Sequence, residues 1–183
     1  GEYGLVFQER AIWRMTYVGS PEIFQFDLTE RKRGAFAPQS VVSWGANVFY
    51  LADDGFYVIS GGAESQPIGD GKVDRYFLDH YATGNAHRIT GTIDPVNKIV
   101  MWSIPGTGSG GTPDYILVYN WVYKKWSLVN QTIEGFVRYA AEGYTLEGLD
   151  AISTSIDALT TSLDSRAYTG GAMTLAAFNT SHK

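Results

Sequence analysis

The chain has no cysteine, which removes disulfides and thiolate metal sites together. Only three histidines are present, and none falls in a His-x-x-x-His or Glu-x-x-His pairing, so the acids and imidazoles around Asp74, Asp79, His80 and His87 give little support for a metal site. No window reaches the ~18 to 20 consecutive apolar residues that a membrane-spanning helix needs, and no signal-peptide pattern opens the chain. No membrane anchor is expected. A Gly-x-Ser-x-Gly elbow is missing, as is the Ser-x-Asp-x-Gly-x-Thr-Trp box of sialidase-like propellers. Excess positive charge is lacking too. The formal charge is −5, an average field that repels nucleic acid.

What is abundant is aromatic and turn-forming. Phe, Trp and Tyr make up 14% of 183 residues and glycine occurs 21 times, a composition that favours sheets and tight turns. The organising stretch is Asn47 to Gly61, NVFYLADDGFYVISG, where two β-branched and aromatic runs flank Asp53-Asp54-Gly55. Asp-Gly supplies the backbone angles of a tight turn, so this is a β-hairpin. The same layout surrounds Gln8-Glu9-Arg10, Pro95-Val96-Asn97-Lys98 and Lys124-Lys125. The first three turns recur at roughly 44 residues, a spacing typical of four-stranded propeller blades.

In order, strands are expected at Tyr3 to Gln8, Ala11 to Val18 and Ile23 to Leu28, the last with Phe24, Phe26 and Leu28 on one buried face. Ser40 to Trp44 and the hairpin supply three more, after which Gly61 to Gly71 is a polar connection. Asp70 is placed to cap a helix with Val73, Tyr76, Phe77 and Tyr81 on its inner side, which puts Asp74 and Asp79 toward solvent. His87 to Ile93, Lys98 to Ile104, Tyr115 to Asn120 and Trp126 to Asn130 read as further strands. The glycine-rich stretch between Pro105 and Pro113 leads into a strand and carries no lysine, so it reads as a surface connection and not as a phosphate cradle. Phe136 to Ala140 is a strand, Leu146 to Leu163 a helical or extended excursion, and Met173 to Phe178 a final strand.

The fold class expected is therefore all-β and mainly antiparallel, with propeller-like repeated hairpins and one or two short helices. Residues 1–145 form the repeated region, and 146–183 the excursion and last strand, read as continuing into a missing blade of a larger propeller. The basic run Arg31, Lys32, Arg33 on a loop, with Lys124 and Lys125 at a turn, is the candidate interface or DNA contact; the competing reading is a solvated loop. The tryptophans Trp13, Trp44, Trp102, Trp121 and Trp126 recur in the hairpins and read as packing between sheets, with a sugar or base platform as the alternative. No catalytic residue and no cofactor is expected.

The succession VFQERAIWRMTYVGSPEIFQFD, RGAFAPQSVVSWGANVFYLADDGFYVISGG, QPIGDGKVDRYF, IDPVNKIVMWSIP, LVYNWVYKKWSLV, SLDSRAYTGG and LAAFN resembles β-propeller structural proteins of tailed bacteriophages, the tail nozzle and packaged-DNA stabilisation proteins below the portal. The resemblance implies a non-enzymatic virion component of the tail or head-to-tail junction, made in the bacterial host cytoplasm. It implies partners that are copies of itself in a ring around the DNA exit channel, with portal, adaptor or other tail proteins, and passing contact with DNA. The alternative from another class is a carbohydrate-binding or glycan-cleaving propeller.

Overall fold

A computed structural model describes residues 3–140, 143–153, 155–159, 161–165, 168 and 173–181. The described residues form antiparallel sheets, the first three each made from one contiguous stretch. The first sheet joins β1 (Tyr3–Phe7), β2 (Ile12–Tyr17) and β3 (Phe24–Glu30). The second is a four-stranded meander of β4 (Val42–Trp44), β5 (Asn47–Leu51), β6 (Phe56–Ser60) and β7 (Gln66–Pro67). The third repeats that plan with β8 (Thr90–Asp94), β9 (Ile99–Ile104), β10 (Tyr115–Asn120) and β11 (Lys125–Val129). The fourth pairs β12 (Gly135–Ala140) with β13 (Met173–Phe178). Helix α1 (Asp74–His80) links the second sheet to the third, and the single turn α2 (Leu146–Leu149) lies in the connection from β12 to β13.

The second sheet is covered on both faces, which explains why its hairpin lacks a polar stripe. Phe49, Leu51 and Phe56 enter one core with Val100, Trp102, Ile104, Tyr115, Leu117 and Tyr119 of the third sheet. Tyr50, Ala52, Tyr57 and Ile59 point the other way and join Ile12, with Leu5 and Phe7 of the first sheet against them. Alternate residues of one strand thus serve two interfaces. The second, third and fourth sheets stack with their first strands adjacent, β4 against β8 and β8 against β12.

Two indoles pin the second and third sheets. Trp102 is fully buried, and its Nε1–H donates to the Ser40 carbonyl oxygen at 2.9 Å. Ser40 is also fully buried in a 3-10 turn, its hydroxyl donating to Ala37 O at 2.6 Å and accepting from Leu51 N–H at 3.1 Å. Trp126 donates to Ile68 O at 2.9 Å and stacks on Trp102 with centroids 5.8 Å apart. Phe56 fills the space against both rings, at 4.8 Å and 5.1 Å. Gly91 is required beside this joint, because a Cβ there would stand 2.8 Å from Ser40 O and 3.1 Å from the indole.

Several expectations need correction. Phe24 and Phe26 are 50% and 54% exposed. The face of β3 turned toward the second sheet carries Asp27 instead, opposite Arg14, which is itself opposite Leu5. Alternation identifies two faces of a strand but not which one has a neighbour. Asp70 does not cap α1, whose N-cap is Val73 without a side-chain bond, and the helix ends at His80. The connection 61–71 contains β7, where Pro67 is tolerated because the strand is at the sheet edge. Between Leu146 and Leu163 the described residues include α2 and a 3-10 turn at Ile156–Ala158, and this segment needs no correction. Trp44 is 45% exposed and Trp13 partly exposed, so the packing role falls to Trp102, Trp121 and Trp126.

Truncating Trp102 removes the indole and orphans a buried carbonyl. Trp102→Ala is expected to lower the unfolding free energy by about 3–5 kcal/mol in urea titration, whereas Trp44→Ala stays within ~0.5 kcal/mol.

Candidate functional site

The basic run divides into two roles. Glu30 Oε1 accepts from the backbone N–H groups of Arg31 and Lys32 at 3.1 and 3.3 Å, which turns the chain as it leaves β3. Both side chains are exposed. Arg33 is committed inward: its Nε–H donates to Asp54 Oδ2 at 2.8 Å, and its guanidinium lies 4.9 Å from the centre of the Tyr57 ring. Asp54 also accepts from the Tyr57 hydroxyl at 2.9 Å. The hydrogen bond it donates to Asp54 holds Arg33 still more firmly protonated, and burial followed by the neighbouring Asp54 pushes Tyr57 up to about 12. Arg33 is therefore a clasp between the loop after β3 and the β5–β6 turn.

Lys124 and Lys125 stand at the β10–β11 turn, both exposed, with Lys124 at φ 52°. The turn is held by Asn120, whose Oδ1 accepts from Val122 and Tyr123 N–H at 3.0 Å each. Lys124 borders an open groove of about 260 Å³ shared with Lys72, Asn47, Ser60, Tyr119 and Trp121. Asn47 and Ser60 pair at one end of the β5–β6 hairpin, and Asp54 turns at the other. The two basic clusters accordingly occupy opposite ends of the second sheet and do not form one patch. Lys72 is the cation that sequence reading missed; it sits in a turn between Gly71 and Val73, with no adjacent cation to make a basic run of it.

Asp74 is a second correction, since it turns inward. The Phe56 N–H donates to its Oδ1 at 3.1 Å, and Gly55 and Gly69 leave the space its carboxylate occupies. Burial raises its pKa; the Phe56 bond opposes that, and the charges of Asp70 and Asp54 add to it. Only glycine at those two positions admits the carboxylate, a signal visible in Gly55 and Gly69-Asp70-Gly71 but assigned to turns.

A further cleft of about 330 Å³ lies where the glycine-rich loop docks on the end of α1. Thr107 N–H donates to His80 O at 2.8 Å, Ala82 N–H to Pro105 O at 2.9 Å, and Gly106 N–H to Asp114 Oδ1 at 2.7 Å. Tyr76 and His80 stack at 4.1 Å along its wall, beside Asn130 and the buried Tyr115. Tyr115 Oη has no hydrogen-bond partner among the described residues, and burial raises its pKa. The loop is thus anchored at its first residues. Its chemistry is hydrogen bonding and ring stacking. Asp94 closes its own turn by accepting from Val96 and Asn97 N–H at 2.9 and 3.3 Å. Among the described residues, no group of three His, Cys, Asp or Glu side chains is placed to hold a metal ion.

No protein-family model matches the chain, and no curated protein matches it at a significant level.

Two outcomes are expected from these placements. Arg33→Ala lowers stability by up to ~1 kcal/mol through loss of the exposed Asp54 pair, and Arg31→Ala leaves it unchanged, as read by urea titration. For Asp74, the folded pKa lies above the ordinary 3.8, so its protonated form is favoured by folding. That contribution is full below 3.8 and is lost as pH rises through the raised value. Wild type should therefore gain stability over Asp74→Asn as pH is lowered from 7 toward 4, a trend of the opposite sign excluding the buried-carboxylate account.

Proposed function

We propose that the chain is a non-enzymatic structural component of a tailed-phage virion, part of a tail nozzle or head-to-tail connector that assembles as a ring around the DNA exit channel. The observation that carries this reading is the succession of two contiguous four-stranded meanders stacked with first strands adjacent, the arrangement of propeller blades. The ordered resemblance of its segments to phage propeller proteins supplies the biological setting. The charge distribution agrees with a passage that DNA slides through. The net charge is −5, Arg33 is paired with Asp54, and the candidate cations Arg31 and Lys32 lie at the other end of the second sheet from Lys124 and Lys125. Such a surface touches phosphates without gripping them, because few counterions are released at any one place. The partners are further copies in the ring and the portal, adaptor or tail proteins that flank it.

A second reading, carbohydrate binding, is favoured by one cleft. Tyr76, His80, Asp114, Tyr115 and Asn130 combine ring faces with hydrogen-bonding groups, as sugar sites do.

One experiment separates the two. Light scattering and electron micrographs of the purified chain are expected to show a multi-chain particle with a central opening wide enough for duplex DNA, and a glycan array no binding. A monomer that retains an oligosaccharide, and loses it on Tyr76→Ala, overturns the connector reading.

A further inference from the structure

The groove between the second and third sheets gathers cations that the fold leaves unpaired. Lys72 enters it from the link before α1, and Lys124 from the β10–β11 turn. Among the described residues neither side chain makes an ion pair and no acid lines the groove, although the chain as a whole carries a charge of −5. The uncharged lining offers donors as well. Ser60 Oγ–H donates to Asn47 Oδ1 at 2.8 Å, which occupies that acceptor and leaves the Asn47 amide N–H groups open, with Gln66 in the same lining. The floor is aromatic. Half-buried Trp121 lies 5.8 Å from buried Phe49, and both line the groove.

Both cations stand on fixed backbone. Lys72 N–H donates to Gly69 O at 3.0 Å, and Ile68, whose carbonyl receives the Trp126 indole, forms the adjoining wall. The β10–β11 turn is tied to the β8–β9 turn by Trp121 N–H to Lys98 O at 3.3 Å and by Asn120 Nδ2 to Asn97 O at 3.4 Å. The two turns share one design. Asp94 receives the N–H groups two and three positions on, as Asn120 does, and each turn then sets a lysine at positive φ, Lys98 at 59° and Lys124 at 52°. Glycine or asparagine fits such a position with less strain.

We propose that this groove binds a phosphate-bearing ligand of nucleotide size, with its phosphate between Lys72 and Lys124 and its base against Trp121. Two ammonium groups facing one groove repel each other, and a phosphate removes that repulsion while accepting from both and from the amide donors. A base supplies the flat face that an indole stacks on. The size sets the unit. A groove of about 260 Å³ lies just below the ~300–1,000 Å³ of ordinary ligand sites, so it takes one nucleotide and excludes a duplex. Because the sheets and turns that carry the lysines are already pinned, little ordering is left for binding to accomplish. The nucleotide is either free or one unit of an unpaired strand. In the second case Tyr123, 75% exposed and next to Lys124, stands ready for the neighbouring base. The site goes beyond the passing contact with duplex DNA proposed above and does not depend on ring assembly.

Titration calorimetry on the whole chain at low salt tests the site. Adenosine monophosphate is expected to bind, adenosine to fail, and inorganic phosphate to compete. Lys72→Ala and Lys124→Ala each weaken binding about ten-fold, whereas Lys124→Arg and Arg31→Ala keep it. All four variants retain the circular dichroism and urea transition of the wild type, since these side chains are exposed. The source is read from a short oligothymidylate. Tighter binding than the monophosphate, with a salt slope that Lys72→Ala reduces by about 0.7, assigns the site to an unpaired strand, and equal binding assigns it to a free nucleotide. Absence of monophosphate binding overturns the site, as does binding that Lys72→Ala leaves unchanged. A duplex bound as tightly as the strand, or oligoglutamate competing as well as phosphate, also overturns it. A ring-forming chain that binds no monophosphate leaves the assembly reading standing and removes this site. A monomer that binds it through Lys72 and Lys124 supports the site and removes the ring.

Discussion

The indole N–H of Trp102 is a donor that has lost all access to water, and the rest of the architecture follows from where it finds an acceptor. A buried N–H without a partner costs about 1–3 kcal/mol, so the third sheet must sit where Ser40 O can receive it. Ser40 in turn is locked by Ala37 O and Leu51 N–H, which sets the approach of β4 and β5. Trp126 repeats the bond at Ile68 O, so two points, and not one, define the relation of the second and third sheets. Phe56 and Phe77 pack at 5.5 Å, which brings α1 into the same joint. Ring stacking alone would permit sliding; two directional bonds do not.

How much of this was legible depends on what local pattern can encode. The hairpin Asn47–Leu51 with Phe56–Ser60 was readable because a strand covered on both faces is apolar throughout and Asp53-Asp54-Gly55 closes it. The repeat of hairpins was readable for the same reason, and the all-β class with it. What could not be read was which side of a strand has a neighbour. Phe24, Phe26 and Leu28 mark an apolar face correctly, yet the sheet beside β3 lies on the side of Asp27. Asp74 misled similarly: helical periodicity put it outward, whereas two glycines distant by 19 and 5 positions in the chain make room for it inward.

The candidate site shows the same limit in its charges. Arg31, Lys32 and Arg33 are adjacent in sequence and equivalent by composition, but Arg33 is spent on Asp54 and Tyr57, partners 21 and 24 residues later. Lys72 and Lys124 share a groove although 52 positions separate them. Adjacency along the chain and adjacency in space are nearly unrelated for side chains at turns, because each turn is placed by the sheet it terminates.

The order in which the sheets are laid down has a consequence for how the chain reaches its shape as it is synthesised. Every sheet but the fourth is complete within a contiguous stretch, so each meander can pair its strands as soon as it leaves the ribosome. The second sheet, however, emerges with Phe49, Leu51 and Phe56 bare; their cover begins with Phe77 and is completed only with Trp102 and Trp126, up to 77 residues after Phe49. At ~5–20 residues per second that interval is several seconds. During it, the nascent hairpin presents an apolar surface to water, and protection of that surface decides whether the vector of synthesis ends in a fold or in an aggregate.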